Sequence, residues 1–139
     1  MEDKPILLLV IDHDPASRKF LADRLGLHDY SVLTAPSGKE GLITAWQHLP
    51  QVIIIDPALP DIDGLELITR LRQDRRTTSV RCIVLSGHND PGKAQKLISA
   101  GFDEYLVKSN QALDQILLMI PRLLSPEKPT GKQGNCSSS

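Results

Sequence analysis

Short apolar runs recur along the chain: Ile6 to Ile11, Val52-Ile53-Ile54-Ile55, Cys82 to Leu85 and Tyr105 to Val107. They are apolar at successive positions rather than at every second one, as strands buried on both faces of a parallel sheet are. Between them lie stretches with apolar residues at helical spacing, so the pattern predicts βα units around a parallel sheet.

The punctuation supports that division. Asp14-Pro15 pairs an N-cap acid with a proline in the first turn and opens a helix to about Leu25. Ser31 to Ala35 reads as a short second strand. Ser37-Gly38-Lys39-Glu40 has the spacing of a capping box, in which Ser37 and Glu40 satisfy each other's amides, and starts a helix to about His48. Gly64 to Gln73, with Asp63 as its cap, carries Leu65, Leu67, Ile68 and Leu71 on one stripe. Asp90-Pro91 opens a fourth helix that Gly101 closes. A fifth spans Ala112 to about Leu124, and Pro121, lacking an amide donor, is expected to kink it or end it early. Its stripe of Leu113, Ile116, Leu117 and Ile120 suffices to cover a sheet, so Leu118 and Met119 add apolar area that can serve as a contact surface.

Each of the four apolar runs ends on a polar residue: Asp12, Asp56, Ser86 and Lys108. In a parallel sheet the carboxyl ends of the strands share one rim, where open α/β proteins place their sites. Taken singly, each has an ordinary explanation as a cap, a turn former or a solvated lysine. Two acids, a hydroxyl and an ammonium on one rim make a reactive constellation.

Asp56 followed by Leu59-Pro60 and Asp63-Gly64, Ser86-Gly87, and the segment Ala100 to Lys108 stand in an order and spacing that resembles the receiver domain of two-component response regulators. The resemblance spans Ile6 to about Leu124. It implies a flavodoxin-like, doubly wound sheet of five parallel strands in the order 2-1-3-4-5 with five helices, forming a receiver over residues 1–124. It implies a signalling switch rather than a turnover enzyme. Asp56 would accept a phosphoryl group from a histidine kinase or phosphotransfer protein, with Lys108 and Ser86 on the phosphate oxygens and Ser86 and Tyr105 as the switch pair. A Mg²⁺ ion would be held by Asp12, Asp56 and the Ala58 backbone carbonyl, with Asp14 or His13 as further candidates. The face of the fourth helix, fifth strand and fifth helix would meet a downstream protein or form a homodimer.

Two positions depart from that family's usual pattern. Asp12-His13-Asp14 has an imidazole where a second acid is expected, which predicts weaker Mg²⁺ binding and comparative tolerance of Mn²⁺. Ser109 follows Lys108 where a cis proline is usual; a cis bond before a non-proline costs ~2.5–4 kcal/mol, so a trans bond and a rearranged lysine loop are expected.

Two other functions fit parts of the pattern. A pseudo-receiver would keep the fold and the partner surface and signal without phosphate. A haloacid-dehalogenase-like phosphatase also starts from Asp-x-Asp after a strand, but Ala16 stands where Thr or Val belongs and no late pair of acids follows Lys108. Retention of Asp56, Ser86 and Lys108 together favours the phosphorylatable switch.

Composition is compatible. A 139-residue chain is sized for one domain, without an effector domain of ordinary size. A net charge of −1 gives no footprint for nucleic acid or a membrane surface. Neither a membrane-span-length apolar stretch nor a signal-peptide pattern occurs, so a cytoplasmic location is expected. Cys82 falls in a strand and Cys136 in the tail, so neither implies a disulfide or metal framework, and the serines after Cys136 do not make a prenylation signal. Residues 125–139, polar and rich in Pro and Ser, are expected to form a disordered tail or linker.

Overall fold

The computed structural model describes residues 5–125; Met1 to Lys4 and the rest of the expected tail, Cys136 included, lie outside them. Five strands and five helices alternate: β1 (Leu7–Ile11), α1 (Pro15–Gly26), β2 (Ser31–Ala35), α2 (Gly38–His48), β3 (Val52–Ile55), α3 (Gly64–Gln73), β4 (Arg81–Ser86), α4 (Pro91–Ala100), β5 (Glu104–Val107) and α5 (Ala112–Leu124). All neighbouring strands pair parallel, in the order β2-β1-β3-β4-β5. The fold class and strand order are those the resemblance implies.

Strand side chains alternate between two cores because successive Cβ atoms point to opposite faces. Leu9, Ile11, Ile53, Ile55, Cys82 and Val84 pack with α2, α3 and α4 through Leu42, Ala45, Leu67, Ile68, Leu71 and Leu97. Leu8, Val10, Val52, Ile54, Ile83, Leu85 and Leu106 pack with α1 and α5 through Leu21, Leu25, Ile116 and Ile120. With both faces covered, the strands need no polar positions, which accounts for the uninterrupted apolar runs.

Caps form as their residue types predict. Asp14, Asp63 and Asp90 accept from the amides of Ala16, Glu66 and Lys93. Gly101 ends α4 at φ +133°, a backbone conformation that L side chains rarely adopt. Gly41 lets α2 lie directly on β1: a Cβ there would sit 2.3 Å from the Ile11 side chain.

Several expectations are corrected. α5 reaches Leu124 as the pattern predicts, so Pro121 does not end it early: the proline's fixed φ is helix-compatible and only one donor is lost near the end. Leu65 is half exposed, leaving Leu67, Ile68 and Leu71 as the buried stripe of α3. Met119 packs against the α1/α5 core, so of the two extra apolar residues only Leu118 stands in solvent, 70% exposed. At Ser37 only the first half of the capping box forms among the described residues, its hydroxyl accepting from the Glu40 amide at 3.2 Å.

Candidate functional site

The sheet itself sets the spacing of the site. Asp12, Asp56 and Lys108 each lie one residue beyond a strand, and each donates its amide to the terminal carbonyl of a neighbouring strand. Asp12 N bonds Ala35 O at 3.1 Å, Asp56 N bonds Ile11 O at 2.9 Å, and Lys108 N bonds Ser86 O at 2.7 Å. The parallel ladder thus continues one step past the strands and pins three functional residues to the rim.

Their side chains converge. Lys108 Nζ donates to Asp56 Oδ2 at 2.7 Å and to Asp12 Oδ2 at 3.1 Å. The remaining carboxylate oxygens are held by loop amides: Asp14 N to Asp12 Oδ1 and Ala58 N to Asp56 Oδ1, both 2.9 Å. Burial works to lower the Lys108 pKa, but the hydrogen bonds and charges of Asp56 and Asp12 outweigh it and hold it above the ordinary lysine value. The ammonium therefore stays charged at neutral pH. The carboxylates of Asp12 and Asp56 thus converge on a single ammonium, bringing hard oxygen atoms together at the rim. Oxygen atoms of that kind suit a hard divalent cation.

Ser86 is buried at the end of β4, its Oγ accepting from the His88 amide at 3.1 Å. The Tyr105 hydroxyl, on β5, donates to the His88 carbonyl at 2.8 Å, so both expected switch residues grip the same loop. The Asp14 carboxylate is occupied as the α1 cap, accepting from Ala16 N and Ser17 Oγ, and His13 is exposed. No three His, Cys, Asp or Glu side chains among the described residues are gathered as a metal cluster. The described residues contain no cis peptide, so Lys108–Ser109 is trans as expected; the Ser109 hydroxyl accepts from Gln111 N at 3.2 Å, just before α5.

Two residues that bear on the site escaped the sequence reading. Arg18, on α1, donates Nη1 to the carbonyls of Asp12 and His13. Asp61, in the loop after β3, accepts from the Gly38 and Lys39 amides at 2.9 and 2.8 Å, capping α2 from a distant segment. No spacing rule links positions 61 and 38.

The sequence profile of the response regulator receiver domain matches residues 8–120. The chain belongs to that family. This receiver is 33% identical over 112 residues to an uncharacterized 14.6 kDa protein of Leptolyngbya boryana, covering 81% of this chain and 86% of that one. It is 35% identical over 102 residues to the transcriptional regulatory protein KdpE of Mycobacterium tuberculosis, covering 73% of this chain but only 44% of that protein. Its fold matches the chemotaxis response regulator CheY4 of Vibrio cholerae with a TM-score of 0.80 and 26% identity, over 87% of this chain and 100% of that one. Receivers are signalling domains of two-component systems that interact with histidine kinases and typically bind Mg²⁺. Membership displaces the dehalogenase-like alternative. No helix among the described residues is long and apolar enough to cross a membrane.

Proposed function

We propose that this receiver is a phosphorylation-dependent switch in which Asp56 is the phosphoacceptor. The observation that carries the reading is the Lys108 ammonium held between Asp56 and Asp12 at 2.7 and 3.1 Å. Phosphoryl transfer asks little covalent help of a protein and much positioning and charge compensation. Asp56 Oδ attacks phosphorus in line as the bond to the donor's histidine nitrogen breaks, giving an acyl phosphate and a free imidazole. Lys108 then pairs with a phosphate oxygen in place of the Asp56 carboxylate, and the Ser86 hydroxyl donates to another. A bound Mg²⁺, on Asp12, Asp56 and the Ala58 carbonyl, would supply Lewis-acid neutralisation of the transferring group's oxygens.

The output follows from the loop that Ser86 and Tyr105 share. The Ser86 oxygen accepts from the His88 amide and its own proton is free for a phosphate oxygen, so a shift of the hydroxyl toward phosphate draws the bonded loop toward the site. Tyr105 loses its carbonyl partner in the same step. The surface of α4, β5 and α5, which exposes Ile98 and Leu118, is the face that meets a downstream protein or a second copy. The receiver occupies residues 1–124, acts in the cytoplasm, and is not itself a turnover enzyme.

The exposed imidazole of His13 in place of an acid favours one second reading, a receiver that signals without phosphate. Incubation with acetyl phosphate and Mg²⁺, followed by intact mass, separates the two. A phosphoryl mass gain that disappears in Asp56→Asn supports the switch. No gain in the wild-type chain favours the phosphate-independent reading, and gain that persists in the variant moves the acceptor to Asp12 or Asp14.

A further inference from the structure

We propose that Arg18 is a positioning residue of the phosphorylation site, holding the corner between β1 and α1 so that the Asp12 carboxylate is presented to a divalent cation. The inference rests on the phosphoacceptor reading and concerns a residue that lies outside the reacting group.

Past Ile11 the chain leaves the sheet and must turn into α1 within Asp12, His13 and Asp14. The carbonyls of Asp12 and His13 both turn toward α1, and a single nitrogen, Arg18 Nη1, serves them at 2.8 and 3.1 Å. The opposite edge of the corner is closed by Asp14 N on Asp12 Oδ1 and by Asp14 Oδ1 and Oδ2 on Ala16 N and Ser17 Oγ. Arg18 N in turn donates to Asp14 O at 3.0 Å, so the residue that holds the corner is itself anchored in the first turn of the helix. Asp12 is thereby restrained on its amide by Ala35, on its carboxylate by Asp14 and Lys108, and on its carbonyl by Arg18. In this chain Asp12 is the sole acid of the β1 end turned to the rim, since His13 is exposed and Asp14 caps the helix. Its orientation therefore carries more of the cation's affinity than it would beside a second carboxylate, and partners that orient a ligand are commonly worth about 10-fold or more in metal affinity.

The positioning role and simple electrostatics predict opposite signs. Arg18 is a permanent cation within reach of the corner, so removing it would strengthen cation binding if charge alone mattered. If Arg18 positions Asp12, removal weakens binding despite the loss of repulsion. Lys19, on the same helix, is exposed and paired with Asp23 rather than with the corner. Lys19→Met removes the same charge without touching the loop.

The experiment is a Mg²⁺ titration of the full chain, followed by isothermal calorimetry and by the Mg²⁺ dependence of Asp56 labelling by acetyl phosphate. Arg18→Met, which keeps an apolar stem, is expected to raise the half-saturating Mg²⁺ concentration about 10-fold, while Lys19→Met stays within about a factor of two. Amide exchange in metal-free protein supplies a readout that does not depend on the cation. In Arg18→Met the Asp14 amide should exchange faster with β3 and β4 unchanged, which also establishes that the variant is folded. Unchanged or tighter Mg²⁺ binding by a folded Arg18→Met chain overturns the positioning role while wild-type labelling at Asp56 leaves the phosphoacceptor reading intact. A wild-type chain that acetyl phosphate does not label overturns the parent reading, and the Arg18 proposal with it.

Discussion

The Tyr105 hydroxyl donates to the His88 carbonyl at 2.8 Å, tying β5 to the loop between β4 and α4. Ser86 reaches the amide of the same residue from the other side. His88 is therefore held through its amide by Ser86 and through its carbonyl by Tyr105, the two residues proposed as the switch pair.

Tyr105→Phe removes one hydrogen bond and leaves the ring's packing in place. The loop should loosen by about 1 kcal/mol, seen as roughly 5-fold faster amide exchange over residues 87–90 with the strands unaffected. Unaltered exchange there would mean that the hydroxyl does not restrain the loop, and Tyr105 would lose its place in the switch.

His13→Asp adds a hard oxygen ligand and one negative charge beside Asp12. Mg²⁺ affinity should rise by about 1 kcal/mol or more, several-fold in the dissociation constant, and labelling by acetyl phosphate should accelerate. The wild-type protein should be comparatively active with Mn²⁺, which accepts an imidazole more readily. A titration in which the variant binds Mg²⁺ no better than wild type would place His13 outside the cation's reach.

Asp61 links the loop after β3 to α2. Partial burial alone would raise its pKa, but the amides of Lys39, Gly38 and Ile62 together outweigh that and leave it below the ordinary aspartate value. A carboxyl with a lower pKa in the folded state contributes stability that is complete above the unfolded pKa and fades as pH falls through the folded one. Asp61→Asn keeps one acceptor oxygen but loses the charge, and because the group is exposed and screened it should cost roughly 0.5 kcal/mol at near-neutral pH and almost nothing well below the aspartate range. Urea unfolding of both proteins at the two pH extremes checks this; a cost independent of pH would assign the effect to shape rather than charge.

Leu118 is the apolar residue that α5 leaves in solvent, whereas Met119 is engaged in the core. If the α4, β5 and α5 face joins two copies, beryllofluoride with Mg²⁺ should increase the mass measured by light scattering, and Leu118→Glu should abolish the increase without altering stability. A mass that is the same with and without the phosphate mimic removes the homodimer and leaves a heterologous partner for that face.

Local pattern determined much of this protein. Apolar runs located β1, β3, β4 and β5 because strands covered on both faces have no polar positions to interrupt them, and Asp14, Asp63, Asp90 and Gly101 marked helix ends because caps act within a few residues. The strand-end positions of Asp12, Asp56, Ser86 and Lys108 were legible for the same reason, and the parallel ladder converted those positions into a shared rim. Tertiary structure alone decided which polar groups meet. Lys108 bridges Asp12 and Asp56 across 96 and 52 residues of chain, and Asp61 caps a helix 23 residues before it. It also decided that Met119 packs while Leu118 does not, and that α5 continues past Pro121. Such pairings depend on how separate elements are seated against one sheet, a property of packing in three dimensions that no periodicity along the chain encodes.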